Sequence, residues 1–158
     1  MLYPVNYGDN PWFPHESDFE VKTKNNLEGK GVFCLRPFKK GALVAVIHGE
    51  VIEEINQHTL QIDEHSHLYD IYFTGYLLHS CDPNVVVDVK KRTVHALKDI
   101  AANSWLYMDY SSTEDRLFKD FFCSCGAENC REFITGRLSN IEPAKNINTV
   151  NSVISGEQ

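Results

Sequence analysis

No stretch of this 158-residue sequence is apolar for long enough to cross a membrane, and residues 1–18 hold no run of signal-peptide length. There is also no internal repeat, heptad pattern or low-complexity tract, which excludes solenoids, coiled coils and linker-like chains. Basic residues are outnumbered: 15 Lys and Arg against 22 Asp and Glu leave a net charge of −7. That is the wrong sign for a general nucleic-acid binder. The expectation is a chain kept inside a cell, in the cytoplasm or nucleus, with no membrane and no direct nucleic-acid contact. Its acidic surface suits a basic peptide. Five cysteines are an odd number, and in a reducing compartment they read as metal ligands or thiols before disulfides.

What is present is ordinary in bulk: 42% hydrophobic and 23% charged residues suit one domain with a real core. The chemistry concentrates in His79-Ser80-Cys81-Asp82-Pro83-Asn84. Pro83 biases Asp82 away from the helical region, and Asp82 and Asn84 can bond local backbone, so the segment reads as a tight turn. An apolar run, Ile71 to Leu78, leads in and a strand-like run, Val85 to Val89, leads out. Taken alone, the turn fits a satisfied histidine and a buried cysteine as well as a functional site.

The remaining pattern is mainly β. Residues 1–18 form an irregular lead-in whose aromatics pack on the body. Strands are expected at Phe19 to Lys24, Gly31 to Leu35, Leu43 to Ile47 and Trp105 to Tyr110, with a hairpin of Val85 to Val89 and Thr93 to Leu97. Asn56 to His67 reads as a solvated loop or short helix; its three histidines fit no trusted metal spacing. Thr113 to Phe122 carries Leu117, Phe118, Phe121 and Phe122 at helical spacing, which predicts a helix capped by Ser112 or Thr113. Residues 137–158 predict a short docked helix and a loose end.

Cys123-x-Cys125-x4-Cys130 is the most specific local signal. Structural zinc takes four ligands in a tetrahedron, and only three lie here. Cys81 is the natural fourth; Cys34, inside an apolar strand, reads as core. Unpaired or redox cysteines are the alternative.

These segments together resemble the SET-domain protein-lysine methyltransferases that carry a post-SET zinc module. The resemblance rests on Gly29-Lys30-Gly31-Val32-Phe33 with Lys40-Gly41, on Gly49-Glu50-Val51-Ile52, on His79 to Asn84, on Asp109-Tyr110, and on Cys123, Cys125 and Cys130. It implies a β-clip fold with a C-terminal pseudoknot, divided into a SET domain at 19–112, a post-SET module at 113–136 and a tail at 137–158. It implies S-adenosylmethionine held by Lys30, Gly31, Ser66, His67, Leu78, His79 and Phe121. A structural zinc ion would sit on Cys81, Cys123, Cys125 and Cys130. The substrate would be a lysine of a protein such as a histone. Tyr110 would be the catalytic residue.

The sequence departs from the family at three places. Leu78 stands where an Asn precedes the signature histidine, Met108 replaces the aromatic two before Tyr110, and Ile47 replaces a Tyr. The channel, lined by Ile47, Tyr72 and Met108, has fewer aromatic walls unless Tyr72 or Tyr76 fills in. These changes admit a degenerate member that binds a partner without methylating it. A cysteine hydrolase built on His79 and Cys81 is disfavoured, because zinc would occupy the thiolate.

Overall fold

The structure, a computed structural model, describes residues 1–138. The chain enters through Val5–Tyr7, a single 3-10 turn. Strand β1 (Phe19–Asn25) then pairs antiparallel with β2 (Gly29–Cys34). Asn25 makes the turn between them: its Oδ1 accepts from the N–H groups of Leu27 at 2.9 Å and Glu28 at 2.7 Å. Gly29 follows at φ +70°, backbone that other residues rarely adopt.

Next come β3 (Leu43–Val46), β4 (Glu50–Ile52), β5 (Thr59–Gln61) and β6 (His67–Tyr69). β6 is the centre of a small sheet with β4 and β5 on its two sides. The loop-or-helix expectation for Asn56 to His67 is therefore corrected. Thr59, Leu60 and Gln61 are all buried, and the polar composition of the segment hid a strand covered on both faces.

β7 (Leu78–His79) precedes the hairpin of β8 (Val85–Asp88) and β9 (Thr93–Ala96), which forms within the two runs expected to pair around Lys90-Lys91-Arg92. β9 also pairs with β3. The chain then lays β10 (Ser104–Trp105) against β2, and β11 (Tyr107–Met108) parallel to β7. This last pairing brings the signature turn beside Tyr110. Two bonds lock it: Ser80 N–H to the Met108 carbonyl at 3.0 Å and Asn84 N–H to the Tyr107 carbonyl at 3.1 Å.

β12 (Phe121–Phe122) pairs with β13 (Phe133–Ile134). No helix forms over Thr113 to Phe122; after a 3-10 turn at Tyr110–Ser112 the chain is irregular up to β12. Phe118 and Phe122 are exposed, so the helical spacing of these aromatics does not describe one buried face. The tail expected to be part helical lies outside the described residues from residue 139 on.

The core joins the sheets. Phe19 stacks on Phe38 and meets Phe73 edge-on, with centroids 5.7 and 4.9 Å apart. Val32, Leu68, Val94, Leu106 and Met108 are buried around them. Each such side chain contributes about 1.5–3 kcal/mol by leaving water. The lead-in docks as expected through Tyr3, whose hydroxyl donates to Asp70 Oδ2 at 2.8 Å. Asp70 is fully buried, and it also accepts from the N–H groups of Tyr72, Phe73 and Thr74 and from the Thr74 hydroxyl. A buried carboxylate with this many donors is satisfied. Trp12 departs from the expectation and is exposed.

Candidate functional site

Tyr110 lies two residues past the end of β11 and opens the 3-10 turn at Tyr110–Ser112. Asp109 caps the turn that starts there, accepting the Ser111 N–H at 3.0 Å. Asp109 also receives both arms of the Arg131 guanidinium, at 2.7 and 2.8 Å. Burial raises the Asp109 carboxyl, but Arg131 and the Ser111 N–H outweigh it and hold it below the usual range. The Tyr110 hydroxyl donates to the Leu77 carbonyl at 2.6 Å. Burial pushes this phenol well above its ordinary value, so it keeps its proton.

His79 joins Tyr110 to the cysteines. Its Nδ1 accepts the Tyr110 N–H at 3.1 Å. The hydrogen of the neutral ring therefore sits on Nε2, which lies 3.6 Å from Cys81 Sγ. Burial lowers the imidazole to about 4, so the neutral ring is the working form. The rings of His79 and Tyr110 both face Phe121, at 5.5 and 5.9 Å.

The ligand atoms of Cys81, Cys123, Cys125 and Cys130 all lie within 4.8 Å of one another. A tetrahedral zinc–thiolate centre has sulfurs about 3.8 Å apart. The donor set and its spacing fit one structural ion. Arg131 N–H points at Cys81 Sγ from 3.4 Å, and the Asn129 side-chain amide donates to the Cys81 carbonyl at 3.0 Å. Burial raises the thiols of Cys81 and Cys123. It raises that of Cys125 as well, but the Ala127 N–H, the Cys81 N–H and the neighbouring thiols outweigh it and bring Cys125 to about 6. Cys34 is buried in β2 and bonds the Ala101 carbonyl, so it stands apart from the cluster.

Two cavities meet at Tyr110. One of about 530 Å3 is lined by Glu28, Leu78, His79, Tyr110, Lys119 and Phe121, among others that include Leu27, Cys123 and Cys125. The other, of about 220 Å3, is lined by Leu60, Leu77, Met108, Tyr110, Glu114 and Phe121, among others. Tyr110, Lys119 and Phe121 belong to both walls. A phenol fixed between two chambers can align a group entering one with a group held in the other.

The other expected site residues scatter. Gly31 backs onto the larger cleft: a Cβ there would come within 2.7 Å of the Leu78 side chain. Lys30 and Tyr72 line a separate groove with Tyr76. Ile47 is buried in the core. Ser66 closes the β5–β6 turn by accepting the Ile62 N–H, and His67 Nδ1 lies 3.1 Å from the Glu53 carbonyl. Neither Ser66 nor His67 lines either cavity. Sequence reasoning misses the Asp109–Arg131 pair, Leu27, Glu28 and Glu114. Asp109 stands in the Asp109-Tyr110 match and Glu28 in the turn before Gly29-Lys30-Gly31, while Arg131, Leu27 and Glu114 carried no local signal.

The family profile for the SET domain matches residues 29–111. A variant-silencing SET domain-containing protein of Plasmodium falciparum is 27% identical over 82% of this chain and 6% of its own length. The histone-lysine N-methyltransferase trithorax of Drosophila virilis is 26% identical over 74% of this chain and 4% of its own. A histone H3 lysine-4-specific N-methyltransferase of Eremothecium gossypii is 36% identical over 37% of this chain and 7% of its own. The chain thus spans under a tenth of the length of these relatives. Among solved structures, KRYPTONITE in complex with mCHG DNA and SAH has the same fold, with a TM-score of 0.59 at 23% identity, covering 73% of this chain and 29% of that one. The methyltransferase domain of human SETMAR also gives 0.59, at 22% identity over 75% of this chain and 58% of that one. KRYPTONITE is bound to DNA in that structure, and the expectation of no nucleic-acid partner for this chain rests on net charge alone. Among the described residues no helix is long and apolar enough to cross a membrane.

Proposed function

The chain belongs to the SET domain family, and on that premise we propose that it is a protein-lysine N-methyltransferase that uses S-adenosylmethionine, with Tyr110 at the point of transfer. The single observation that carries this is the position of Tyr110 on the shared wall of two cavities. Residues 19–112 form the body of the enzyme, and residues 113–136 form a module closed by zinc on Cys81, Cys123, Cys125 and Cys130.

The larger cleft has the size of a small-molecule site, within the roughly 300–1,000 Å3 such sites occupy. Leu78, His79 and Phe121, which line this cleft, would hold the adenine side of the cofactor, with Gly31 packed behind Leu78. When bound, the cofactor supplies an electrophilic methyl carbon. Glu28 lines the same cleft. Burial raises its carboxyl, but Lys24, 2.8 Å away, and Asn25 outweigh this and keep it anionic.

The smaller cavity takes the lysine side chain. A lysine amine attacks only when neutral, while its ordinary pKa is near 10.4. The apolar walls of Leu60, Leu77 and Met108 disfavour the ammonium form. Because the Tyr110 hydroxyl gives its hydrogen to Leu77, its oxygen lone pairs remain to accept an amine N–H and weak C–H contacts from the methyl group. Most of the acceleration comes from alignment. A basic segment such as a histone tail suits the acidic surface of the enzyme.

A binding module that takes a peptide without methylating it is the second reading. It is favoured by Leu78, an apolar side chain where the family places a polar cofactor contact. The test is incubation with tritium-labelled S-adenosylmethionine and core histones, alongside calorimetry with the cofactor. Label on lysine together with one bound cofactor per chain supports the enzyme. Binding of histone peptides with neither cofactor affinity nor label supports the module instead.

A further inference from the structure

Glu114 is a buried carboxyl that the chemistry above leaves unused. It is 5% exposed and lines the smaller cavity with Tyr110, Leu77 and Met108. Its position is fixed from two directions. Its N–H donates to the Tyr110 carbonyl at 3.1 Å, and its Oε2 accepts the Gln61 N–H at 2.7 Å. The Gln61 side chain clamps the next residue in turn, giving and taking 2.7 Å bonds with Asp115.

The charged groups around Glu114 leave it without a counter-ion. Arg137 pairs with Asp115 at 2.9 Å. Lys119, which also lines the cavity, forms no ion pair with Glu114 among the described residues. Burial raises the carboxyl to about 7, with the Gln61 N–H, the Thr113 hydroxyl and Arg137 pulling down and Asp115 pushing up. Structure alone does not require an acid here, because a glutamine would accept the same Gln61 N–H. A lone acidic group in the wall of an apolar chamber is built for a cationic guest that can give up a proton.

We propose that Glu114 receives the target ammonium in the smaller cavity and accepts its proton before transfer; this rests on the reading of Tyr110 as the point of transfer. One N–H proton passes to the Glu114 carboxylate, leaving a lone pair on nitrogen. The nitrogen–carbon bond forms as the carbon–sulfur bond of the methylsulfonium donor breaks, and sulfur keeps that electron pair. The methylated nitrogen carries the positive charge away, and Glu114 returns its proton to water.

The probe is n-butylammonium, which copies the lysine side chain, with 1-butanol as its neutral counterpart. Binding is followed by NMR at the Met108 methyl and Tyr110 ring in wild type and Glu114→Gln, a variant that keeps the acceptor for Gln61. The expected result is butylammonium binding that strengthens as pH rises through about 7 and is at least about tenfold weaker in Glu114→Gln, with 1-butanol unaffected. Should Glu114→Gln misfold, Glu114→Asp keeps the charge and should retain the pH dependence with weaker binding. Equal butylammonium affinity in wild type and Glu114→Gln, or no binding to wild type, would overturn the role. Glu114-dependent binding in a protein that transfers no methyl group would leave this inference standing and remove the transfer reading instead.

Discussion

The Tyr110 N–H donates to His79 Nδ1 at 3.1 Å, and the opposite nitrogen of that ring lies 3.6 Å from Cys81 Sγ. One imidazole therefore spans the distance between the phenol and the cysteine cluster. Phe121, Cys123 and Cys125 complete the coupling by lining the larger cleft themselves.

Cys125→Ser is expected to lose the metal and the cleft together. Wild type should carry one zinc ion per chain by elemental analysis, and the variant less. Structural zinc supplies folding free energy directly, so the variant should melt earlier and calorimetry should find no cofactor binding. Full cofactor affinity in a zinc-free variant would separate the two sites.

Gly31→Ala is expected to damage the cleft rather than the fold. The added Cβ would lie 2.7 Å from Leu78 Cδ1 and 3.1 Å from the Trp105 ring. Leu78 is the softer neighbour and must yield towards the cofactor. Overpacking of this kind costs about 1–3 kcal/mol. Cofactor affinity should drop by more than stability, read by calorimetry against urea unfolding.

Glu114 also predicts how stability depends on pH. Its carboxyl sits at about 7 in the folded chain against an ordinary 4.5. The folded state therefore holds its proton more tightly than the unfolded state. The contribution is fully present below about 4.5 and is lost as pH rises through about 7. Each unit of difference is worth about 1.4 kcal/mol, so Glu114→Gln should be more stable than wild type at pH 8, by up to a few kcal/mol. Urea denaturation across pH 5–8 should show the advantage growing with pH. A constant difference would mean that the carboxyl is not shifted.

Part of this site could be read without coordinates, because its signals are local or chemically rare. The strand-like runs of β8 and β9 flank a basic turn, and a lone thiol in the signature turn had few partners other than three late thiols. Other parts resisted for physical reasons. Leu117, Phe118, Phe121 and Phe122 have helical spacing, yet Phe121 packs on Tyr110 while Phe122 is exposed and pairs through β12. Tertiary pairing overrode the local period there. The resemblance suggested Ser66, His67 and Ile47, but a hairpin and the core claim them in this chain. Glu114 had no local signal, since its role arises from the distant Gln61 and from what surrounds Tyr110.

The most direct measurement compares wild type and Tyr110→Phe side by side for transfer of tritiated methyl from saturating S-adenosylmethionine to histone lysine. The phenol gives its hydrogen to Leu77 and stands on the wall of both cavities. Its loss should slow transfer by roughly 10²–10³-fold while cofactor affinity, read by calorimetry, stays within error of wild type. Equal transfer rates in the two proteins would contradict the account.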